Sequence, residues 1–114
     1  MKKMLGVMID CSRNAVMNPQ TVKAFAQIIK KMGYNTLMLY TEDTYEVNNQ
    51  PYFGHLRGRY TKDELKELDA FCNSIGIELV PCIQTLAHLN GMFRWQKEYD
   101  EINDCDDILL AEEE

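Results

Sequence analysis

KKMGYNTLMLY, residues 30–40, joins a lysine-rich segment to an apolar run through one glycine, and NSIGIELVPCI, residues 73–83, repeats the plan with Gly76 in the place of Gly33. A glycine directly after an amphipathic stretch supplies the left-handed residue that ends many helices. The short apolar run that follows, without polar alternation, has the pattern of a parallel strand covered on both faces. Two successive helix-glycine-strand units predict parallel strands joined by helical crossovers, an α/β chain.

Working outward, Lys3 to Ile9 reads as a first buried strand, followed by the polar turn CSRNAV. Asn18-Pro19 opens a helix over about 19–32: the asparagine can cap it, and the proline sits where its missing N–H does no harm. Val22, Phe25, Ala26, Ile29 and Met32 share one face of that helix. The second strand spans about 35–40. After it, TEDTYEVNNQPYFGHLRGRY, residues 41–60, is long for a strand-to-helix connection, and long loops on a scaffold often carry sites. Thr61-Lys62-Asp63-Glu64 is a capping box that starts a helix over about 62–75, with Leu65, Leu68, Phe71, Cys72 and Ile75 on its apolar side. The third strand spans about 77–83. Beyond it the pattern weakens, to a short helix around Met92 to Tyr99 and a brief extended piece at DDILL.

The order is therefore β-α-β-α-β with parallel strands plus a short C-terminal helical and extended segment, a plan shared by doubly wound sheets and (β/α)8 barrels. With 114 residues the chain is a single domain, 1–114. A closed eight-stranded barrel takes roughly 250 residues, so on the barrel plan this is a partial TIM barrel, and the ending AEEE is expected to be a cut rather than a finish. A net charge of −6 gives no basic face for nucleic acid. The apolar stretch after Lys3 is too short for a signal core or a membrane span, so the expectation is a cytoplasmic chain with no membrane partner. Cys11, Cys72, Cys82 and Cys105 form no CxxC pair and lack histidines at ligand spacing, so neither a metal nor a disulfide framework is expected, and no cofactor motif stands out.

In parallel α/β folds functional groups gather where the strands end, because those loops share one face. Asp10 and Arg13 follow the first strand, Glu42 and Asp43 the second, Gln84 and His88 the third. Spacing alone leaves each role open. Asp10 can cap a turn, pair with Arg13 or meet a ligand. Glu42-Asp43 suits a solvated loop pair as well as a catalytic pair, and His88 suits a satisfied structural histidine as well as a site residue. Arg57 and Arg59 read as loop charges or internal ion-pair partners, and Phe93 and Trp95 as local core or as stacking platforms. Asp106-Asp107 and Glu112 to Glu114 lack the strand-end setting of a catalytic pair.

Together these segments resemble the start of the catalytic barrel of glycoside hydrolase family 20, the β-N-acetylhexosaminidases. Gly6-Val7-Met8-Ile9-Asp10-Cys11-Ser12-Arg13 matches that family's G-x-x-[LI]-D-x-x-R, Asn35 to Asp43 follows its asparagine-to-acid second strand, and Pro81, Ile83 and His88 keep its P-x-I-x-x-x-x-H spacing. Met38 and Tyr40 stand where histidines are common, and Cys82 and Gln84 where acids are, as in a branch carrying DCSRNAV and VPCIQTLAH. The resemblance implies a retaining, substrate-assisted hydrolysis of terminal β-linked N-acetylhexosamine. By it, Arg13, with Asp10, Glu42 and Asp43, binds the sugar, while His88 and Gln84 support the catalytic acid. The Asp-Glu pair is expected beyond Glu114, leaving the isolated chain inactive. Open strand edges further predict a homo-oligomer. The competing expectations are a non-catalytic self-associating half-barrel and a flavodoxin-like domain for a nucleotide or phosphate, although GHLRGRY is not a phosphate cradle.

Overall fold

A computed structural model describes residues 3–13, 15–94 and 97–111. Strand β1 (Gly6–Asp10), helix α1 (Pro19–Lys31), strand β2 (Thr36–Thr41), helix α2 (Lys62–Ser74) and strand β3 (Glu78–Ile83) follow in the expected order. The three strands form one parallel sheet in the order β1-β2-β3. A flavodoxin-like sheet would instead place its first strand inside, between the second and third.

The helix boundaries follow from local chemistry. Asn18 accepts a hydrogen bond from the Thr21 N–H, and Thr61 and Glu64 form the full capping box. Gly33 (φ 92°) and Gly76 (φ 73°) take the left-handed turn that leads each helix into its strand. Each helix ends a residue before the sequence pattern suggests. Met32 and Ile75 are caps rather than helical residues, and Met32 is exposed because the chain turns away there.

α1 and α2 pack on one face of the sheet. Val22, Ala26 and Ile29 from α1, Leu68 and Cys72 from α2, and Leu37 and Leu39 from β2 form the main core with Cys11, Tyr60 and Ile77. The strands read as buried on both faces are not equally so. Only β2 is largely buried; β1 starts at Gly6 rather than Lys3 and alternates between exposed and half-buried, and β3 is mostly half-buried or exposed. The reason is positional, since both are edge strands and the opposite face of the sheet carries no second layer among the described residues. Met8 is 54% exposed there.

In the remaining segment the extended piece expected at DDILL is present as a short strand, but the helix differs from expectation. In place of a helix over Met92 to Tyr99 there is one turn, α3 (Asn90–Phe93), then a 3-10 turn (Lys97–Ile102) and an antiparallel pair, β4 (Asn103–Cys105) with β5 (Ile108–Leu109). Its apolar residues leave the main core to make a second one, in which Leu89, Met92 and Tyr99 close on Phe53 of the β2-α2 loop. Phe93 packs against this cluster, which is the core alternative for that residue; Trp95 and Glu112 to Glu114 lie outside the described residues. No helix among the described residues is long and apolar enough to cross a membrane.

Candidate functional site

The register of the sheet brings the three strand ends level. Asp10 pairs with Tyr40 and Tyr40 with Cys82, and two more backbone bonds, Cys11 N–H to Tyr40 O and Gln84 N–H to Thr41 O, extend the alignment past the strands. The buried polar residues concentrate where the strands stop. Of Ser12, Thr36, Thr41, Glu42, Asp43 and Thr44, all but Thr36 lie at or just beyond the ends of β1 and β2. Burying polar groups costs free energy unless partners replace water, so such a cluster needs an explanation in each partner.

Asp10 is bound within its own turn. Its Oδ1 accepts from the Ser12 N–H (2.8 Å) and the Ser12 hydroxyl (2.6 Å). These bonds hold its carboxyl below the usual aspartate value, with a further contribution from the positive Arg13. Arg13 Nε stands 4.0 Å from Asp10 Oδ2, and both side chains are more than half exposed. The turn-capping alternative for Asp10 is therefore realised, and Arg13 keeps a solvent-facing guanidinium.

After β2 the acids are buried. Asp43 Oδ1 accepts from Arg57 Nε at 2.8 Å. Glu42 is 5% exposed, its nearest cation is Arg57 Nη2 at 3.9 Å, and no donor among the described residues lies within hydrogen-bond distance of its carboxylate. Burial pushes the Glu42 carboxyl above the usual glutamate value, against the pull of Arg13 and Arg57 and with the repulsion of Asp43 and Asp10. A solvated loop pair is excluded for both residues. Thr44 Oγ1, buried beside them, has no hydrogen-bond partner among the described residues.

After β3 the side chains are more open. Gln84 Nε2 donates to the Tyr40 hydroxyl at 2.8 Å, joining the ends of β2 and β3. His88 has a left-handed backbone (φ 62°) and an exposed ring whose Nδ1 lies 4.0 Å from Asp107 Oδ2. The rim thus gathers Asp10, Arg13, Glu42 and Asp43 around the ends of β1 and β2, while the exposed His88 ring lies out beside Asp107 of the C-terminal segment.

Sequence reasoning did not single out Arg57, Ser12 or Tyr60 for the rim. Arg57 also donates from Nη2 to the Ser12 carbonyl, and the Tyr60 hydroxyl donates to the Met17 carbonyl under the same turn. The advance signals were the length of the 41–60 loop and, for Arg57, the internal ion-pair alternative, which its 2.8 Å pairing with Asp43 realises. Neither Arg57 nor Arg59 is free for a phosphate, since Arg59 donates to the carbonyls of Pro51 and Phe53. Among the described residues, no group of histidine, cysteine, aspartate and glutamate is arranged to hold a metal. A separate apolar groove of about 660 Å³, lined by Leu39, Leu65, Leu79, Pro81 and Ile83 among others, runs beside α2 and contains none of the rim acids.

The fold and its level rim define a parallel α/β unit whose strands pair in sequence order, with polar groups collected at their C-terminal ends. Among solved structures, the X-ray structure of Flavobacterium johnsoniae chitobiase (FjGH20) contains a matching unit, with a TM-score of 0.73, 22% sequence identity and coverage of 87% of this chain. The match spans 16% of that chain, and at this identity it is a likeness of fold. No protein-family model matches the sequence, and no curated protein matches it.

Proposed function

We propose that this chain is the sugar-binding start of a glycoside hydrolase family 20 barrel, acting on terminal β-linked N-acetylhexosamine. The observation that carries the proposal is the rim, where exposed Arg13 and buried Glu42, which has no hydrogen-bond donor among the described residues, lie at adjacent strand ends. A guanidinium donates to hydroxyl oxygens and a carboxylate accepts from hydroxyl hydrogens, so the two together suit a polyol. Asp10 fixes the turn that presents Arg13, and Asp43 anchors the loop that buries Glu42. The motif spacing at Gly6 to Arg13 and the fold likeness to a chitobiase support the same reading.

Hydrolysis in this scheme needs an acid for the leaving oxygen and a second carboxylate to orient the substrate's acetamido group. Neither Glu42 nor Asp43 is placed in those roles. In this reading the pair is supplied from outside the rim, with His88 and Gln84 supporting it. The test is a titration of the 114-residue chain with N-acetylglucosamine, alongside a chromogenic β-N-acetylglucosaminide assay. Weak saturable binding lost in Arg13→Ala, without turnover, is expected. Absence of binding overturns the sugar site, and robust turnover lost in Arg13→Ala overturns the placement of the acid pair.

A self-associating, non-catalytic module is the second reading, favoured by the open edges of β1 and β3 and by exposed Met8, Leu5 and Ile83. It predicts assembly without sugar binding.

A further inference from the structure

Arg57 lies in the loop between β2 and α2, yet its contacts reach the turn after β1, the acids after β2 and the backbone of α3. Its Nη2 donates to the Ser12 carbonyl after β1. Its Nε binds Asp43, and its Nη2 faces Glu42, after β2. In α3, the backbone at Gly91 comes so near that a Cβ there would lie 3.1 Å from Arg57 Cζ and 3.1 Å from Asp43 Oδ2.

We propose that Arg57 is a positioning residue, a three-way clamp that sets the Ser12 turn, the Glu42-Asp43 pair and the Gly91 backbone in one fixed arrangement. For its effect on sugar this rests on the rim being the sugar site; the clamp itself does not.

Three features support it. The guanidinium is planar with donors on different edges, so a single side chain can serve acceptors in several directions, which an ammonium at one point cannot do. Its loop is fixed before the side chain begins. Gly54 sits against the Asp43 backbone, and Arg59 ties the loop to itself through Pro51 and Phe53. Finally, Arg57 is a half-buried cation that offsets part of the charge of two buried acids, and removing it would leave both without a cation inside the clamp. Arg13, the other cation near Glu42, stays free to face a ligand because Arg57 holds the acids from within.

The experiment uses the full chain, isotopically labelled, as wild type, Arg57→Met, Arg57→Lys and, for comparison, Arg59→Met. Amide spectra report Ser12 and Gly91, carboxyl carbon shifts follow Glu42 with pH, and N-acetylglucosamine is the added ligand. In Arg57→Met the Ser12 and Gly91 amides shift, Glu42 titrates at higher pH because Asp10 and Asp43 now act against Arg13 alone, and sugar affinity falls about tenfold or more, the loss expected for a hydrogen-bonded charge. Arg57→Lys restores the Glu42 titration in part but not the amide positions, and Arg59→Met changes none of the three. If Arg57→Met leaves amides, titration and affinity at wild-type values, the clamp is refuted. If the wild type binds no sugar, the sugar site fails while the amides and the Glu42 titration still decide the clamp. Should Arg57→Met not fold, Arg57→Lys decides it: unchanged Ser12 and Gly91 amides overturn the proposal, and shifted ones uphold it.

Discussion

Gly54 and Asp43 touch backbone to backbone: a methyl group added at Gly54 would lie 1.9 Å from the Asp43 carbonyl oxygen. Gly54 also has φ 64°, a conformation that L side chains rarely adopt. Gly54→Ala must therefore move the loop off Asp43 as well as strain its own backbone. A loss of about 2–4 kcal/mol is expected from these two costs together, measured by urea unfolding. A loss below ~0.5 kcal/mol would mean the approach is not required.

Leu37 and Leu56 give a contrast within one residue type. Leu37 is fully buried in the central strand and Leu56 is 92% exposed in the β2-α2 loop. Leu37→Ala should cost about 2–5 kcal/mol through lost burial and a residual cavity, and Leu56→Ala within about 0.5 kcal/mol of nothing. Equal effects at the two sites would contradict the core assignment.

Thr61 and Glu64 exchange hydrogen bonds at the start of α2. Thr61→Ala removes the acceptor for the Glu64 N–H and should lower stability by about 1 kcal/mol. Amide exchange at the first turn of α2 should accelerate while α1 is unaffected, which separates a local cap from a global effect.

Stability should fall as the pH rises from mildly acidic toward neutral. Burial raises the Glu42 carboxyl above 4.5, so the folded chain keeps that proton after the unfolded chain has released it. Glu42's contribution is complete below 4.5 and is lost as pH climbs through the raised value. Asp10 runs the other way: its lowered carboxyl contributes above 3.8 and loses that contribution as pH falls through the lowered value, weakly because the group is half exposed. Glu42→Gln should flatten the decline above 4.5 and leave the acid limb in place. Urea midpoints across a pH series read both limbs, and an undiminished decline in the variant would assign it elsewhere.

The open edges of β1 and β3, the groove of about 660 Å³ beside β3 and exposed Met8 predict concentration-dependent self-association of the isolated chain. Sedimentation velocity should show a rising weight-average mass over the micromolar range. A constant monomer mass would remove the homo-oligomer proposal.

Helix starts and ends were legible because their chemistry is local: Asn18, Thr61, Gly33 and Gly76 each act on backbone within one turn. Strand identity was legible from apolar runs, but strand exposure was not, since the runs at β1 and β3 look like that of β2 while only β2 has neighbours on both edges. Asp10, Arg13, Glu42 and Asp43 were legible as strand-end groups. Arg57 was legible as an internal ion-pair partner but not as a rim residue, because its acceptors are distant in sequence and include the Ser12 backbone carbonyl, which leaves no side-chain signature. The helix expected around Met92 to Tyr99 failed because Leu89, Met92 and Tyr99 bury themselves against Phe53 rather than along one continuous helical face.

Each strand of the sheet after the first is hydrogen-bonded to the one synthesised just before it. A nascent chain can therefore join β1 to β2 as soon as α1 and β2 have left the ribosome, and β3 can then be added to an existing template. The growing edge is always the newest strand, so the unit can assemble in the order in which it is made.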